Sequence, residues 1–262
     1  MLATLDPGRI DLWFTFCGKV ADPALLESYR GLLTEQERAQ EKRFYFERDR
    51  HRYLITRALV RTTLSRYVDV RPQDWSFAPN SYGRPEIRND NPAAGRLSFN
   101  LSHTSQLVVL AVTSDDPVGV DTEDGYTREA PLGVADRFFA PREVADLRAL
   151  APERQPERFF QYWTLKESYI KARGMGLSIP LDEFAFHFEG VHGERIGFET
   201  EASLNDDASQ WTYWQFGVRE GHLVALCARR LESGPQALLA RESIPLGAAQ
   251  PLELRPIAST SV

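Results

Sequence analysis

The sequence predicts an α+β fold, and three observations carry that expectation. Short runs rich in β-branched and aromatic residues, such as Leu12–Phe16, Leu107–Thr113 and Trp211–Val218, read as strands. They alternate with segments whose apolar residues recur at helical spacing, as Leu54, Ile55, Ala58, Leu59 and Leu64 do between His51 and Tyr67. A faint internal echo at an offset of about 106–109 residues sets Leu32–Glu37 against Phe138–Glu143 and Asp74–Phe77 against Asp182–Phe186. A helix rich in aliphatic and aromatic residues separates these landmarks each time.

The elements follow in order. Leu12–Phe16 is the opening strand. Helices are expected over Pro23–Leu33, over Glu35–Phe46 with Thr34 as its N-cap, and over His51–Tyr67. Trp75–Phe77 and Leu97–Leu101 read as strands around a loop rich in Gly, Pro and Asn. The run Leu107–Thr113, the turn residues Ser114–Pro117 and a strand from Val118 read together as a hairpin. Helices over Pro131–Phe139, Pro141–Leu150 and Pro156–Arg173 come next, the last stopped by Gly174. Strands near Phe184–Phe188, Ile196–Glu199, Trp211–Val218 and Leu223–Cys227 complete the pattern. The stretch from Leu231, rich in Pro, Ala, Gly and Ser, is expected to be partly unfixed.

Composition bounds the function. With 262 residues and 42% hydrophobic content the chain can bury a real core, as one large or two small domains. Its apolar runs fall far short of the ~20 residues that span a bilayer, and no secretion signal opens it. Cys17 and Cys227 lack metal or redox spacing and suit a reducing interior, so a cytoplasmic protein is expected. A net charge of −6 argues against general nucleic-acid binding. Yet ten basic residues lie between Arg38 and Arg71 against four acidic ones, a local balance of +6 that suggests a discrete polyanion site.

Two segments carry the chemistry. On a strand, Asp121 and Glu123 of Gly119-Val-Asp-Thr-Glu123 would project from one face. Their mutual repulsion calls for protons, basic side chains or a cation. On the helix ending at Gly174, Trp163, Glu167 and Lys171 stand four apart on one side. A Glu–Lys pair at that spacing is by itself an ordinary surface pair worth ~0.2–0.5 kcal/mol. Asp121, Glu123 and Glu167 together would form an all-oxygen site suited to Mg²⁺ or Mn²⁺ rather than zinc. The bland alternative is two separate acidic patches that never meet.

These residues resemble a known family. Gly-Val-Asp121-x-Glu123 and Trp163-x-x-Lys166-Glu167-x-x-x-Lys171-Ala, about forty residues apart, are similar to the signature of the 4′-phosphopantetheinyl transferase superfamily. Three further segments agree and occur in the family's order: Arg43-Phe-Tyr with His51-Arg52, Tyr82-Gly-Arg-Pro85, and Phe99-Asn-Leu-Ser-His103. The length and the extra N-terminal half resemble the Sfp (surfactin-synthetase activator) type.

The resemblance implies two pseudo-symmetric α+β halves, each a small antiparallel sheet packed with helices, with the active site between them. Residues 1–112 would be the basic half for the adenine and 3′-phosphate, 113–230 the acidic and catalytic half, and 231–262 a tail. It implies transfer of the 4′-phosphopantetheine arm of coenzyme A to a serine of an apo acyl or peptidyl carrier domain, releasing adenosine 3′,5′-bisphosphate. Such carriers serve fatty-acid, polyketide and nonribosomal peptide synthesis. By the same resemblance Asp121, Glu123 and Glu167 are the metal ligands, and Asp121 also lies on the cofactor side. Glu167 is the base for the carrier serine, directly or through water, and Lys171 contacts the pyrophosphate. Ser102 and His103 touch phosphates, and Arg84 lies beside the adenine.

The match is imperfect at the 3′-phosphate, where Glu37 and Gln40 stand at usually basic positions. Arg43, Arg48 and Arg52 are the substitutes, with Arg52 best supported. Lys166 is open between a phosphate contact and a surface charge, and Trp163 is assigned to packing. Carrier docking is expected on Tyr126–Phe139, with Arg128, Leu132 and Arg137 as contacts. A monomer without nucleic-acid or membrane partners is expected. Two alternatives stand beside the transferase. One is a Mg²⁺-dependent pyrophosphatase or phosphodiesterase acting on a nucleotide cofactor through the same carboxylates; the other is a non-catalytic binding module.

Overall fold

In a computed structural model, which describes residues 2–125, 130–232 and 234–260, helices and strands alternate along the chain as the apolar periodicity predicts. The chain divides into two units: Met1–Pro79 with Pro85–Asp115 and Ala237–Glu253, and Asn80–Arg84 with Asp116–Gln236 and Leu254–Val262. No helix among the described residues is long and apolar enough to cross a membrane.

The first unit holds β1 (Arg9–Phe16), α1 (Pro23–Leu32), α2 (Glu35–Arg43), α3 (Glu47–Leu64), β2 (Phe77–Pro79), β3 (Pro85–Ile87), α4 (Pro92–Gly95), β4 (Leu97–His103) and β5 (Leu107–Ser114). Local chemistry explains the helix starts. Asp22 caps α1, and Thr34 with Glu37 forms a capping box on α2. Leu54, Ile55 and Leu59 of α3 share one apolar cluster with Val108, Leu110 and Val112 of β5 and with Trp13 of β1. The main sheet runs β12-β11-β1-β5-β4 and takes its last two members from the chain's end, β11 (Ala237–Ser243) and β12 (Ala249–Pro251).

The second unit holds β6 (Val118–Asp124), α5 (Ala135–Phe138), α6 (Pro141–Ala149), α7 (Gln155–Arg173), β7 (Phe184–Glu189), β8 (Arg195–Thr200), β9 (Trp211–Val218), β10 (His222–Arg229) and β13 (Pro256–Ser259). Its sheet runs β6-β10-β9-β13-β8-β7. Its core is unusually aromatic: Phe159, Phe160, Tyr162 and Tyr169 of α7 meet Phe184, Phe186, Trp211 and Tyr213 of the sheet in one cluster. Such rings bury large area and favour edge-to-face contacts, here Tyr169 with Trp211 and Phe186 with Tyr213.

Four expectations are corrected. The run Leu107–Thr113 does not form a hairpin with the strand after Ser114–Pro117. Both edges of β5 are taken by β1 and β4, whereas β6 pairs with β10 in the other sheet. The hairpin is β4–β5, closed by the turn where the Thr104 N–H donates to the Leu107 carbonyl (2.9 Å), and Arg96 pairs with Asp115 at 2.7 Å across its open end. The stretch from Leu231 is not loose: β11 lies parallel to β1 from Arg9↔Ala237 to Phe14↔Glu242, and β13 sits between β9 and β8. Side chains fasten it, since the hydroxyls of Thr15 and Tyr29 both donate to backbone oxygens there, at Ser243 and Pro245 (2.9 Å each). The sheets are not wholly antiparallel, because these late strands add the parallel pairs β1–β11 and β8–β13. The helix expected over Pro131–Phe139 shrinks to a 3₁₀ turn, Leu132–Val134, and the four-residue α5.

Candidate active site

The acidic strand β6 and helix α7 meet within the second unit, and Gly119 is the reason they come so close. A Cβ on Gly119 would stand 2.0 Å from the Ser168 carbonyl oxygen and 2.4 Å from the Ala172 nitrogen, so only glycine lets α7 lie directly on β6. Gly119→Ala is therefore expected to destabilise the fold by about 1–3 kcal/mol through overpacking. Urea unfolding checks this, and a wild-type midpoint would contradict it.

That seat brings Lys171 of α7 onto Asp121 of β6. The Lys171 ammonium lies 2.6 Å from Asp121 Oδ1 and also donates to the Val120 carbonyl at 3.3 Å. Asp121 is only 5% exposed, and Glu123 is half-buried two residues on. Glu167, one turn before Lys171, has its carboxyl pushed up to about 7. Burial is the main cause, the Asp121 and Glu123 charges add to it, and Lys171 opposes it. Three carboxylates and one ammonium from two elements thus feel one another. Among the described residues, no three His, Cys, Asp or Glu side chains are gathered into a ready metal centre. The cation present at Asp121 is Lys171.

The end of α7 is braced. Gly174 adopts the left-handed conformation (φ 68°), and its N–H caps Ile170 and Lys171 at 3.0 and 3.1 Å. Arg84 donates from Nη1 to the carbonyls of Lys171 (2.8 Å) and Ala172 (3.1 Å), and from Nη2 to Val118 (3.3 Å). A cation at the C-terminal end of a helix also suits its dipole. Asn80, which the sequence did not single out, donates to Gly174 at 3.0 Å. Trp163 is a packing residue as expected, stacked on Phe159 at 6.1 Å and edge-on to Phe138.

Lys166 is neither a surface charge nor a phosphate contact. It is fully buried, and its ammonium donates to Glu143 Oε2 (2.8 Å) and to the Leu181 (2.6 Å) and Phe184 (2.7 Å) carbonyls. Glu143 is equally buried and accepts from the Ala140 (2.8 Å) and Phe186 (2.9 Å) amides. Burial pushes the Glu143 carboxyl up and the Lys166 ammonium down, each charge offsetting the other's cost. The correction has a simple cause. Lys166 points about 100° around the helix from Glu167, into α6 and β7. Glu143 carried no signal beyond its place in the first turn of a helix.

In the first unit, Ser102 is nearly buried and His103 exposed at the end of β4. Arg43 closes α2 and is exposed. Arg48 is also exposed, its guanidinium 5.0 Å over the Phe46 ring. Arg52 is partly exposed and pairs with Asp49 at 2.9 Å. Glu37, the acidic intruder among usually basic positions, is bound into the fold. It closes the capping box and accepts from buried Arg61 at 2.7 Å. Of the expected docking residues, Arg137 is exposed and Leu132 is partly buried against the aromatic core, whereas Tyr126 and Arg128 lie outside the described residues.

Comparison with known proteins agrees with this geometry. Residues 117–227 match the family model for the 4′-phosphopantetheinyl transferase superfamily, and 23–115 match that for the N-terminal part of 4′-phosphopantetheinyl transferase. The chain is 34% identical over 204 residues to 4′-phosphopantetheinyl transferase Sfp of Bacillus subtilis (strain 168), covering 77% of this chain and 84% of that protein. It is 39% identical over 153 residues to another 4′-phosphopantetheinyl transferase of Bacillus subtilis, covering 58% of this chain and 65% of that protein. It is 38% identical over 153 residues to HetI of a Nostoc species, covering 58% and 64%. In these last two the match is just under two thirds of the relative's own length. The hydrolase alternative gains no support from these relatives. The chain belongs to the 4′-phosphopantetheinyl transferase superfamily and is an Sfp-type enzyme that transfers 4′-phosphopantetheine to carrier proteins.

Proposed function

We propose that the carrier serine attacks the pantetheine-side phosphorus of coenzyme A while Glu167 takes the serine proton. The new bond joins serine oxygen to phosphorus, and the bond to the bridging oxygen breaks, releasing adenosine 3′,5′-bisphosphate. The observation that carries this reading is the raised affinity of Glu167 for a proton beside the Asp121–Lys171 pair. A base whose pKa lies near 7 is matched to proton transfer at neutral pH. Lys171 meets the charge developing on the leaving pyrophosphate oxygen.

The residues fit a hard divalent cation. The Asp121 and Glu123 charges add to burial in holding the Glu167 carboxyl off its usual ionisation, and a bound cation would relieve that repulsion. Asp121, Glu123 and Glu167 would hold Mg²⁺ or Mn²⁺, which supplies Lewis-acid neutralisation of pyrophosphate charge when bound. Arg52, with Arg43 and Arg48 nearby in sequence, is assigned to the 3′-phosphate, since a guanidinium fork matches phosphate oxygens. Ser102 and His103 are assigned to the pyrophosphate. Arg84 is assigned to the adenine through the flat face of the guanidinium whose edges brace α7. Leu132 and Arg137, with Arg128, are assigned to an acidic, partly apolar carrier helix. The chain is assigned to the cytoplasm as a monomer, divided by function at residues 1–112, 113–230 and 231–262.

The direct test mixes the chain with apo carrier, coenzyme A and Mg²⁺ and reads the intact carrier mass. Absence of the added arm on acyl and peptidyl carriers alike would refute transfer. Arg52→Ala is expected to weaken coenzyme A about tenfold or more, as loss of a charged hydrogen bond does, and dephospho-coenzyme A far less. Equal losses for both cofactors would remove Arg52 from the 3′-phosphate.

A further inference from the structure

The charge buried next to Glu167 serves no step of the transfer, yet it is fully enclosed and makes three hydrogen bonds. The three ammonium protons of Lys166 meet acceptors in three places: Glu143 on α6, Leu181 in a 3₁₀ turn, and Phe184 at the start of β7. Glu143 in turn holds the amides of Ala140 and Phe186. Stability alone does not require such a pair, because well-packed apolar residues of similar volume often do as well or better. What apolar residues lack is direction. Three fixed acceptors admit one roll of α7 about its axis, whereas a methionine in the same space admits several.

Roll matters on this helix. A side-chain tip lies ~5–6 Å from a helix axis, so a ~20° roll moves it ~2 Å. A misplacement of about 1 Å at a reacting centre can cost about 10²-fold in rate. The opposite flank of α7 rests on Gly119 of β6, which offers no side chain of its own to index the rotation, and Lys171, which reaches Asp121 there, is one of the groups to be placed.

We propose that the buried Lys166–Glu143 pair sets the roll of α7 and so places Glu167 and Lys171. Lys166 and Glu143 are positioning residues; neither touches the substrate. The inference rests on the roles given to Glu167 and Lys171 above.

The test uses the full chain carrying Glu143→Leu with Lys166→Met, beside Glu167→Gln and the wild type. Thermal and urea unfolding are measured with kcat and the KM for coenzyme A on an apo carrier. The expected double variant unfolds at or above the wild-type midpoint, keeps KM within about twofold, and loses about 10- to 100-fold in kcat. Wild-type kcat in that stable variant overturns the inference, as does a kcat loss matched by an equal rise in KM. If the double variant does not fold, Lys166→Arg decides. Its planar fork keeps the charge but does not reach three divergent acceptors, so kcat falls at constant KM; wild-type kcat overturns the inference again. An active Glu167→Gln refutes the site assignment itself. An inactive Glu167→Gln beside a fully active double variant refutes only the positioning role.

Discussion

Glu167→Gln is expected to lower turnover by about 10²–10⁴-fold, the usual contribution of a positioned general base, and to leave the protein more stable above pH 7. The two effects have one cause. Burial and the Asp121 charge push the Glu167 carboxyl up to about 7 from its ordinary 4.5. Between those values the folded chain keeps a proton that the unfolded chain has released, so stability falls as pH rises through the window. Above pH 7 the carboxylate is charged in both states and the loss is complete. Glutamine removes that loss together with the base. Unfolding midpoints of metal-free wild type and variant should diverge as pH rises through about 7. Near-wild-type turnover in Glu167→Gln, or parallel stability curves, would contradict the assignment. Mg²⁺ that binds the folded state is expected to raise the wild-type midpoint and the Glu167→Gln midpoint less.

Lys166→Met alone is expected to cost about 3–5 kcal/mol, the largest stability effect of any substitution considered, because it strands the Glu143 carboxylate in the core. Both side chains are 0% exposed, so water cannot reach in to compensate. The measurement is the urea midpoint at constant slope; a loss under about 1 kcal/mol would show that Glu143 takes up a proton or is resolvated. The contrast with the double variant is deliberate, since breaking a buried pair and replacing it are different experiments.

Much of the site was legible because its residues lie in short local patterns. Helical spacing put Glu167 and Lys171 on one side, strand spacing put Asp121 and Glu123 together, and the structure brings Lys171 onto Asp121. Lys166 was misread because a charged residue in a motif says nothing about which way its helix is rolled. Only Glu143, 23 residues upstream and without a motif of its own, shows that this charge faces inward. The Arg84 brace was hidden for a similar reason. Its acceptors are backbone carbonyls, which carry no sequence signal.

The same division runs through the fold. Capping residues and apolar periodicity are local, and α1, α2, α6 and α7 begin or end within a few residues of where those signals stand. Strand partners are not local. The apolar run of β5 looked like half of a hairpin with β6, but an open strand edge accepts any neighbour, and β1 and β4 took both of its edges. The end of the chain looked weakly structured by composition, yet β11 pairs with β1 from the other end of the sequence. By itself the sequence determined the α+β class, most of the helices, the family and the candidate site residues. Tertiary structure alone decided which strands pair, that Gly119 seats α7 on β6, and that Lys166 is buried against Glu143. Those outcomes depend on contacts between residues far apart in sequence, where short-range spacing carries no information.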